Sequence, residues 1–257
     1  MSYYSGLLSK DWKFSMKGQV QSYLFLLLIW TLSVAVSFRL SEPLIAMSIG
    51  VTLIVIHILY VPTDMIINLG REQKLKLWLH NPQPSYVLLS SKLFISILNC
   101  LLSIAFAVGL YAVVCVLFNV PFLQGKTLSE SFALLWSVIG FGLYLGVWAV
   151  FLWSQYAASI GKRFEKLRIA ISGLIAYVIF QLHEGFILST LFDSMKEIGS
   201  FPVVSIGTKV INETNEYQEI SMGVSMSEFS LALVALFLAV SLFVFLLSVR
   251  NMKKIEI

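Results

Sequence analysis

The chain has 257 residues, of which 58% are hydrophobic and 12% charged, against about 45–50% apolar and about 25% charged in a soluble domain. That composition excludes a water-soluble globular fold, and with it the collagen-like, disordered and coiled-coil classes. Eighteen Lys and Arg against fourteen Asp and Glu give a net charge of +4, too small and too dispersed to point to nucleic acid, so the position of each charge carries the information.

The first twenty residues are basic and patterned. Lys10, Lys13 and Lys17 recur at i, i+3, i+7 and share one helix face, while Tyr4, Leu8 and Trp12 share another at i, i+4, i+8. The spacing predicts an amphipathic helix over 1–20, its apolar side at the headgroup boundary and its lysines toward anionic lipid. The plainer alternative is a basic flank that only fixes orientation. A cleaved signal peptide fits poorly, because both the basic region and the apolar stretch after it are long.

Apolar runs at 21–38, 44–68, 93–118, 131–156, 169–192 and 229–249 are each long enough for a helix of about 20 residues to cross a bilayer. The second contains Pro62, expected to kink it, followed by Asp64, which can snorkel or pair with Arg71 or Lys74. The third holds both cysteines, Cys100 and Cys115, about 22 Å apart along a helix and so buried free thiols. In the fourth, Phe141, Tyr144, Trp148 and Phe151 form one face, and Gly142 and Gly146 form a small-xxx-small pair on the other. The glycine face is expected to pack inside the protein. The aromatic face then meets lipid, a second subunit or amphipathic cargo, or simply packs. In the fifth, Glu184 shares a face with Tyr177 and Gln181, either lining an outer vestibule or hydrogen-bonded to a neighbouring helix.

Six spans put both termini on one side. With the N-terminus inside, fourteen of the eighteen basic residues fall on cytoplasmic segments and only Arg39, Lys126, Lys196 and Lys209 fall outside, which fixes both termini in the cytoplasm. The one long outer loop, 193–228, is polar and carries an Asn212-Glu213-Thr214 sequon, a weak motif.

The cytoplasmic loop 71–92 is the most organised polar stretch. Leu75, Trp78 and Leu79 follow helical spacing, Pro82 and Pro84 stop that helix, and Ser85 can cap the next turn. An amphipathic helix exposing a Trp and two Leu suits either a soluble partner or the lipid surface. Together, the basic N-terminal helix, six spans and a loop of the form Arg-Glu…Leu…Asn-Pro…Ser-Tyr-Val-Leu-Leu-Ser-Ser-Lys resemble an ABC-2 type permease, the membrane subunit of an ABC exporter.

The resemblance implies an all-α integral membrane protein forming a single permease domain: six transmembrane helices, an N-terminal elbow helix (Lys10, Trp12, Lys13, Lys17) and a coupling helix between spans two and three. Glu72, Leu75, Trp78, Leu79 and Pro82 would be the coupling residues seated on the ATPase, and Lys92 would begin the next span. It implies two copies of a separate ATPase subunit, a second permease copy (identical or a paralogue), membrane lipid contacts, a bacterial cell membrane, and no nucleic acid. Cargo would leave the cell, an amphipathic peptide or lipid-like molecule fitting the aromatic interior. The expected path residues are Glu184, Gln181, Tyr177, Tyr144 and Trp148. The polar loop 193–228 departs from the shorter apolar hairpin of many members.

The chain is not expected to be an enzyme by itself. Gly125-Lys126-Thr127 imitates the tail of a P-loop, but Val120 stands where its first glycine belongs. ATP and Mg²⁺ belong to the ATPase subunit, and no cofactor or metal is expected here. A rival reading is an intramembrane hydrolase using His57, His183 and Glu184, although Ile187 occupies the position a second helical zinc ligand needs. Another is a non-transporting scaffold or sensor built around the outer loop.

Overall fold

A computed structural model describes residues 3–75, 83–120, 128–160, 165–214 and 217–252. Its helices are α1 (Tyr3–Leu40), α2 (Pro43–Val55), α3 (Tyr60–Lys74), α4 (Ser85–Leu117), α5 (Leu128–Ala157), α6 (Glu165–Ile187), α7 (Thr190–Lys196) and α8 (Leu231–Met252), with strands β1 (Ser200–Thr214) and β2 (Tyr217–Ser230) between α7 and α8. Among the described residues five helical stretches are long and apolar enough to cross a membrane, and α6 with α7, bent by 60°, makes a sixth if taken as one broken span. The chain is a multi-helix, multi-pass membrane protein.

The N-terminal segment differs from expectation. No break separates a helix over 1–20 from a span over 21–38: α1 is continuous for 38 residues, about 57 Å at 1.5 Å per residue and roughly twice the hydrocarbon thickness. Residues 3–40 contain no proline, so nothing in the backbone forces a bend. The lysines of the expected polar face, Lys10, Lys13 and Lys17, are exposed, but the buried face is Leu7, Asp11, Ser15 and Gln19, with Trp12 only half-buried.

Helix ends are closed by backbone geometry. Ser41, at φ +55°, ends α1; Glu42 N–H donates to Ser37 O at 3.1 Å, and Pro43 opens α2. Asn119, at φ +52°, ends α4 in the same way, with Val120 N–H donating to Cys115 O at 2.9 Å. Both are the left-handed termination in which the two residues beyond the helix satisfy its last carbonyls.

The second span is broken where Pro62 predicts it. A 3₁₀ turn, Ile56–Leu59, joins α2 to α3. Pro62 has no N–H for the Ile58 carbonyl, its i−4 acceptor. Gly142 of α5 approaches that carbonyl so closely that a Cβ there would lie 3.2 Å from Ile58 O, and a Cβ on Gly146 would lie 2.5 Å from Val61 Cγ1. The glycine face of α5 therefore packs on the broken span, as its small-xxx-small spacing predicts.

The predicted loop 71–92 is shorter than the sequence suggests. α3 continues through Lys74, Leu75 is its exposed C-cap, and α4 starts at Ser85, so Lys92 lies two turns inside α4 and does not open it. Pro84 holds the N-cap position in an extended conformation with no side-chain cap, where Ser85 was expected to cap. The remainder of the expected coupling helix, including Trp78, Leu79 and Pro82, lies outside the described residues.

The expected all-α architecture also needs correction, because the polar loop 193–228 contains an antiparallel hairpin. β1 and β2 pair from Ser200 with Ser230 to Thr214 with Tyr217, with an irregularity between Val210 and Asn212. The sequence shows why: Val, Ile and Ser occur in both strands, with Thr in β1 and Met in β2, without helical apolar spacing.

The main core joins α1, α3, α4, α5 and α8 through Leu7, Met65, Leu69, Leu89, Val150 and Met252. It places the N-terminal part of α1, the C-terminal end of α3, the N-terminal end of α4 and the C-terminal ends of α5 and α8 at one end of the bundle, hereafter the basic end.

Candidate functional site

Four charges meet at the basic end. Lys92 Nζ lies 2.8 Å from Glu72 Oε1 and 3.0 Å from Asp11 Oδ1; Lys10 Nζ lies 3.0 Å from the same Glu72 oxygen and 4.0 Å from Asp11 Oδ1. Ser91 Oγ donates to Asp11 Oδ2 at 2.6 Å. The side chains of Asp11, Glu72 and Lys92 are each 3% exposed, against 41% for Lys10. Two cations against two carboxylates leave the cluster neutral, the condition under which buried charge is tolerated. Each helix contributes through its local register: α1 by its third turn, α3 by its last, α4 by its second. Glu72 and Lys92 thus close the two ends of the α3–α4 connection on one another, and Asp11 ties α1 into the closure.

From this cluster a polar seam runs into the bundle along α4, at Lys92, Ser96, Asn99 and Ser103, spaced i, i+4, i+7, i+11 and all buried. These positions span about 16 Å of helix. Ser96 Oγ donates to Asp64 of α3, and the Asn68 amide one turn along α3 also reaches that carboxylate. Asn99 Nδ2 donates to Ser15 Oγ of α1 at 2.9 Å, and Gln19 Nε2 to Tyr23 OH at 2.8 Å. At the far end of the seam, His57 has Nδ1 2.6 Å from Leu53 O and Nε2 2.9 Å from Ser103 Oγ. The carbonyl can only accept, which makes Nδ1 the protonated nitrogen and Nε2 the acceptor of the serine hydroxyl. Asp64 lies about 12 Å along α3 from Glu72, deeper than the sequence suggested. Among the described residues it has no ion pair within 4.0 Å, so the expected pairing with Arg71 or Lys74 is not formed.

A second polar group sits on the opposite side of α5. Tyr144 OH lies 3.5 Å from His183 Nδ1, and the rings of Tyr144, His183 and Phe237 pack mutually with centroids 5.2–5.7 Å apart. Trp148 meets Tyr144 edge-on, and Phe151 is buried with Val147 and Val244. The aromatic stripe of span four is therefore largely packed by α6 and α8. Gly142 borders the His57 carbonyl while Tyr144, two residues on, holds His183, so α5 stands between the two histidines. Among the described residues no three His, Cys, Asp or Glu side chains are grouped to hold a metal ion.

The residues expected to line a path divide into two sets. Tyr144 and Trp148 sit with His183 between α5, α6 and α8, whereas Tyr177, Gln181 and Glu184 are exposed on α6. Their face lies away from the one carrying Ile179 and His183, which meets α5 and α8. Of the expected coupling residues, Leu75 is exposed and Glu72 is buried in the charge cluster. Among the expected elbow residues, Lys10 bridges the cluster, and Lys10 and Lys13 line an open cleft with Gly6, Ser9 and Phe14. Asp11, Ser91 and Asn99 escaped the sequence reading, although the recurrence of polar residues at helical spacing inside the apolar run of α4 marks that seam in the sequence itself. Against protein-family models, curated proteins and solved structures, the chain matches none.

Proposed function

We propose that this chain is the membrane subunit of an ABC exporter of the ABC-2 type, set in a bacterial cell membrane with its basic end and both termini in the cytoplasm. The observation that supports this most is the closure of Glu72 on Lys92 at 2.8 Å, with Asp11 bound to Lys92 and Lys10 bound to Glu72. A push on the connection between α3 and α4 passes through this closure to three helices at once, as an ATPase-driven subunit requires. In this proposal Leu75, Trp78, Leu79 and Pro82 are the residues that engage the ATPase, and Glu72 acts by holding the end of α3 against α4. Two ATPase subunits supply ATP and Mg²⁺ chemistry, and two permease copies, identical or paralogous, rock between inward- and outward-facing arrangements. The cleft beside Lys10 and Lys13 suits lipid headgroups. The cargo is amphipathic, a peptide or lipid-like molecule.

Co-expression with an ATPase encoded beside it tests the proposal. A stable complex is expected, weakened by Trp78→Ala; no complex, or a complex indifferent to Trp78→Ala, refutes it.

The hairpin favours a second reading, a sensor that reads the outer surface. Two strands of 15 and 14 residues extend about 45 Å at 3.3 Å per residue, far more than a loop needs to join α7 to α8. Replacing 201–229 by a short Gly/Ser linker separates the readings: an exporter keeps its ATPase complex, and a sensor loses its response.

A further inference from the structure

We infer that Asp64 is a proton-exchange site reached through water held in the polar seam from the basic end. Three observations carry this independently of the exporter reading. Asp64 is a half-buried carboxylate inside a membrane helix, and among the described residues no cation lies within 4.0 Å of it, whereas Asp11 and Glu72 are both paired. An ionisable group at that depth with no cation in direct contact marks function by default. The carboxylate is nevertheless held in place, by Ser96 Oγ and by the Asn68 amide.

The third observation concerns two orphaned atoms. Asn68 Oδ1 and Asn99 Oδ1 are buried without a hydrogen-bond partner, on side chains 7% and 1% exposed. Asn68 lies one turn from Asp64 toward the basic end, and Asn99 one turn beyond Ser96 in the opposite direction, so the two acceptors flank the Asp64–Ser96 contact. A buried amide oxygen left unsatisfied costs about 1–3 kcal/mol, and ordered water is what removes that cost at polar sites of this kind. Water against Asn68 and Asn99 completes a hydrogen-bonded file past Asp64. The transfer is simple: a hydronium O–H bond breaks, an O–H bond forms on a carboxylate oxygen of Asp64, and water is left behind.

The surroundings favour a proton over a metal cation. The Lys92 ammonium from α4 and the Arg71 guanidinium from α3 both act on Asp64, and hard metal cations need about six oxygen ligands, where one suffices for a proton. The other titratable groups are Tyr60 on α3 and Cys100 on α4, which sense the Asp64 charge; His57 between α2 and α3, held by Ser103; Glu72 at the end of α3; and, from α1, Lys10 and Asp11 in the charge cluster and Tyr23, which acts on Tyr60. α5, which also packs on α3, carries no charged residue over 131–160.

The test is difference infrared spectroscopy of the full chain in lipid nanodiscs, following the C=O stretch of protonated carboxyl groups as bulk pH is varied. A band that titrates with pH, is lost in Asp64→Asn and survives at a shifted frequency in Asp64→Glu is the expected result. Asn99→Leu is expected to keep the band and slow its hydrogen–deuterium exchange. Absence of a titrating band in the unmodified chain, or its persistence in Asp64→Asn, overturns the assignment. So does its loss on adding sodium at fixed pH, which marks a metal-cation site. Unchanged exchange in Asn99→Leu overturns the seam as the route.

Discussion

Replacing Lys92 by methionine removes the one fully buried cation of the charge cluster while keeping the length of the side chain. Glu72 then retains only the half-exposed Lys10 at 3.0 Å, and Asp11 keeps Lys10 at 4.0 Å and the Ser91 hydroxyl at 2.6 Å. Removing one partner of a buried pair costs about 3–5 kcal/mol, because the other charge is left uncompensated. Lys10 offsets part of that loss at Glu72 and less at Asp11, so Lys92→Met is expected near the lower end, about 3 kcal/mol, or roughly a hundredfold in the unfolding equilibrium. The companion variant Lys92→Met with Asp11→Leu and Glu72→Met removes the buried charges together and is expected to recover most of the loss, since apolar replacement of a whole buried ion pair is often neutral. Reversible unfolding in mixed micelles, followed by tryptophan fluorescence, measures both. A Lys92→Met loss below about 1 kcal/mol, the range of solvent-exposed pairs, refutes the buried-cluster account, and so does a triple variant less stable than the single one.

The close approach of α5 to the broken second span predicts that Gly146→Ala destabilises by about 1–3 kcal/mol through overpacking, with partial rescue by Val61→Ala in the same unfolding assay. Gly173→Ala, where nothing lies within 4 Å of the added Cβ, is the control and is expected to be neutral or slightly stabilising as a helix residue. Ser103→Ala leaves His57 Nε2 without its 2.9 Å partner and is expected to cost about 1–3 kcal/mol, readable as a lowered unfolding midpoint. Glu184→Gln, on the exposed face of α6, is expected to leave stability within about 0.5 kcal/mol, and a larger loss contradicts its exposure.

The helices were legible because the bilayer requires long apolar runs, and the α5 glycine face because small residues at fourth positions can only serve close packing. Pro62 announced the break in the second span through the hydrogen bond it cannot make. Three features were obscured, each for a physical reason. The continuity of α1 was hidden by a change of solvent along one helix: the lysines before residue 18 mark where water ends, and that boundary reads like a structural one. The ends of α3 and α4 were hidden because charged residues at the membrane surface look like loop when they are the last turns of spans. Glu72 and Lys92, read as loop residues, are helical and buried against each other. The hairpin was hidden because strand alternation over 200–230 is short-range and weak beside the hydropathy signal of the spans. For the candidate site, the sequence pointed to Glu72 and Asp64 individually, but the pairing of Glu72 with Lys10 across 62 residues of chain, and of Asp11 with Lys92, is a tertiary fact that local spacing does not contain.

The claim that this chain is driven by an ATPase is tested most directly by ATP turnover in nanodiscs, comparing the ATPase encoded beside it alone, with this chain, and with the Trp78→Ala chain. The account predicts Mg²⁺-dependent hydrolysis that rises on assembly with this chain, responds to a cationic amphipathic peptide, and loses that response with Trp78→Ala. Hydrolysis that is the same in all three preparations contradicts it.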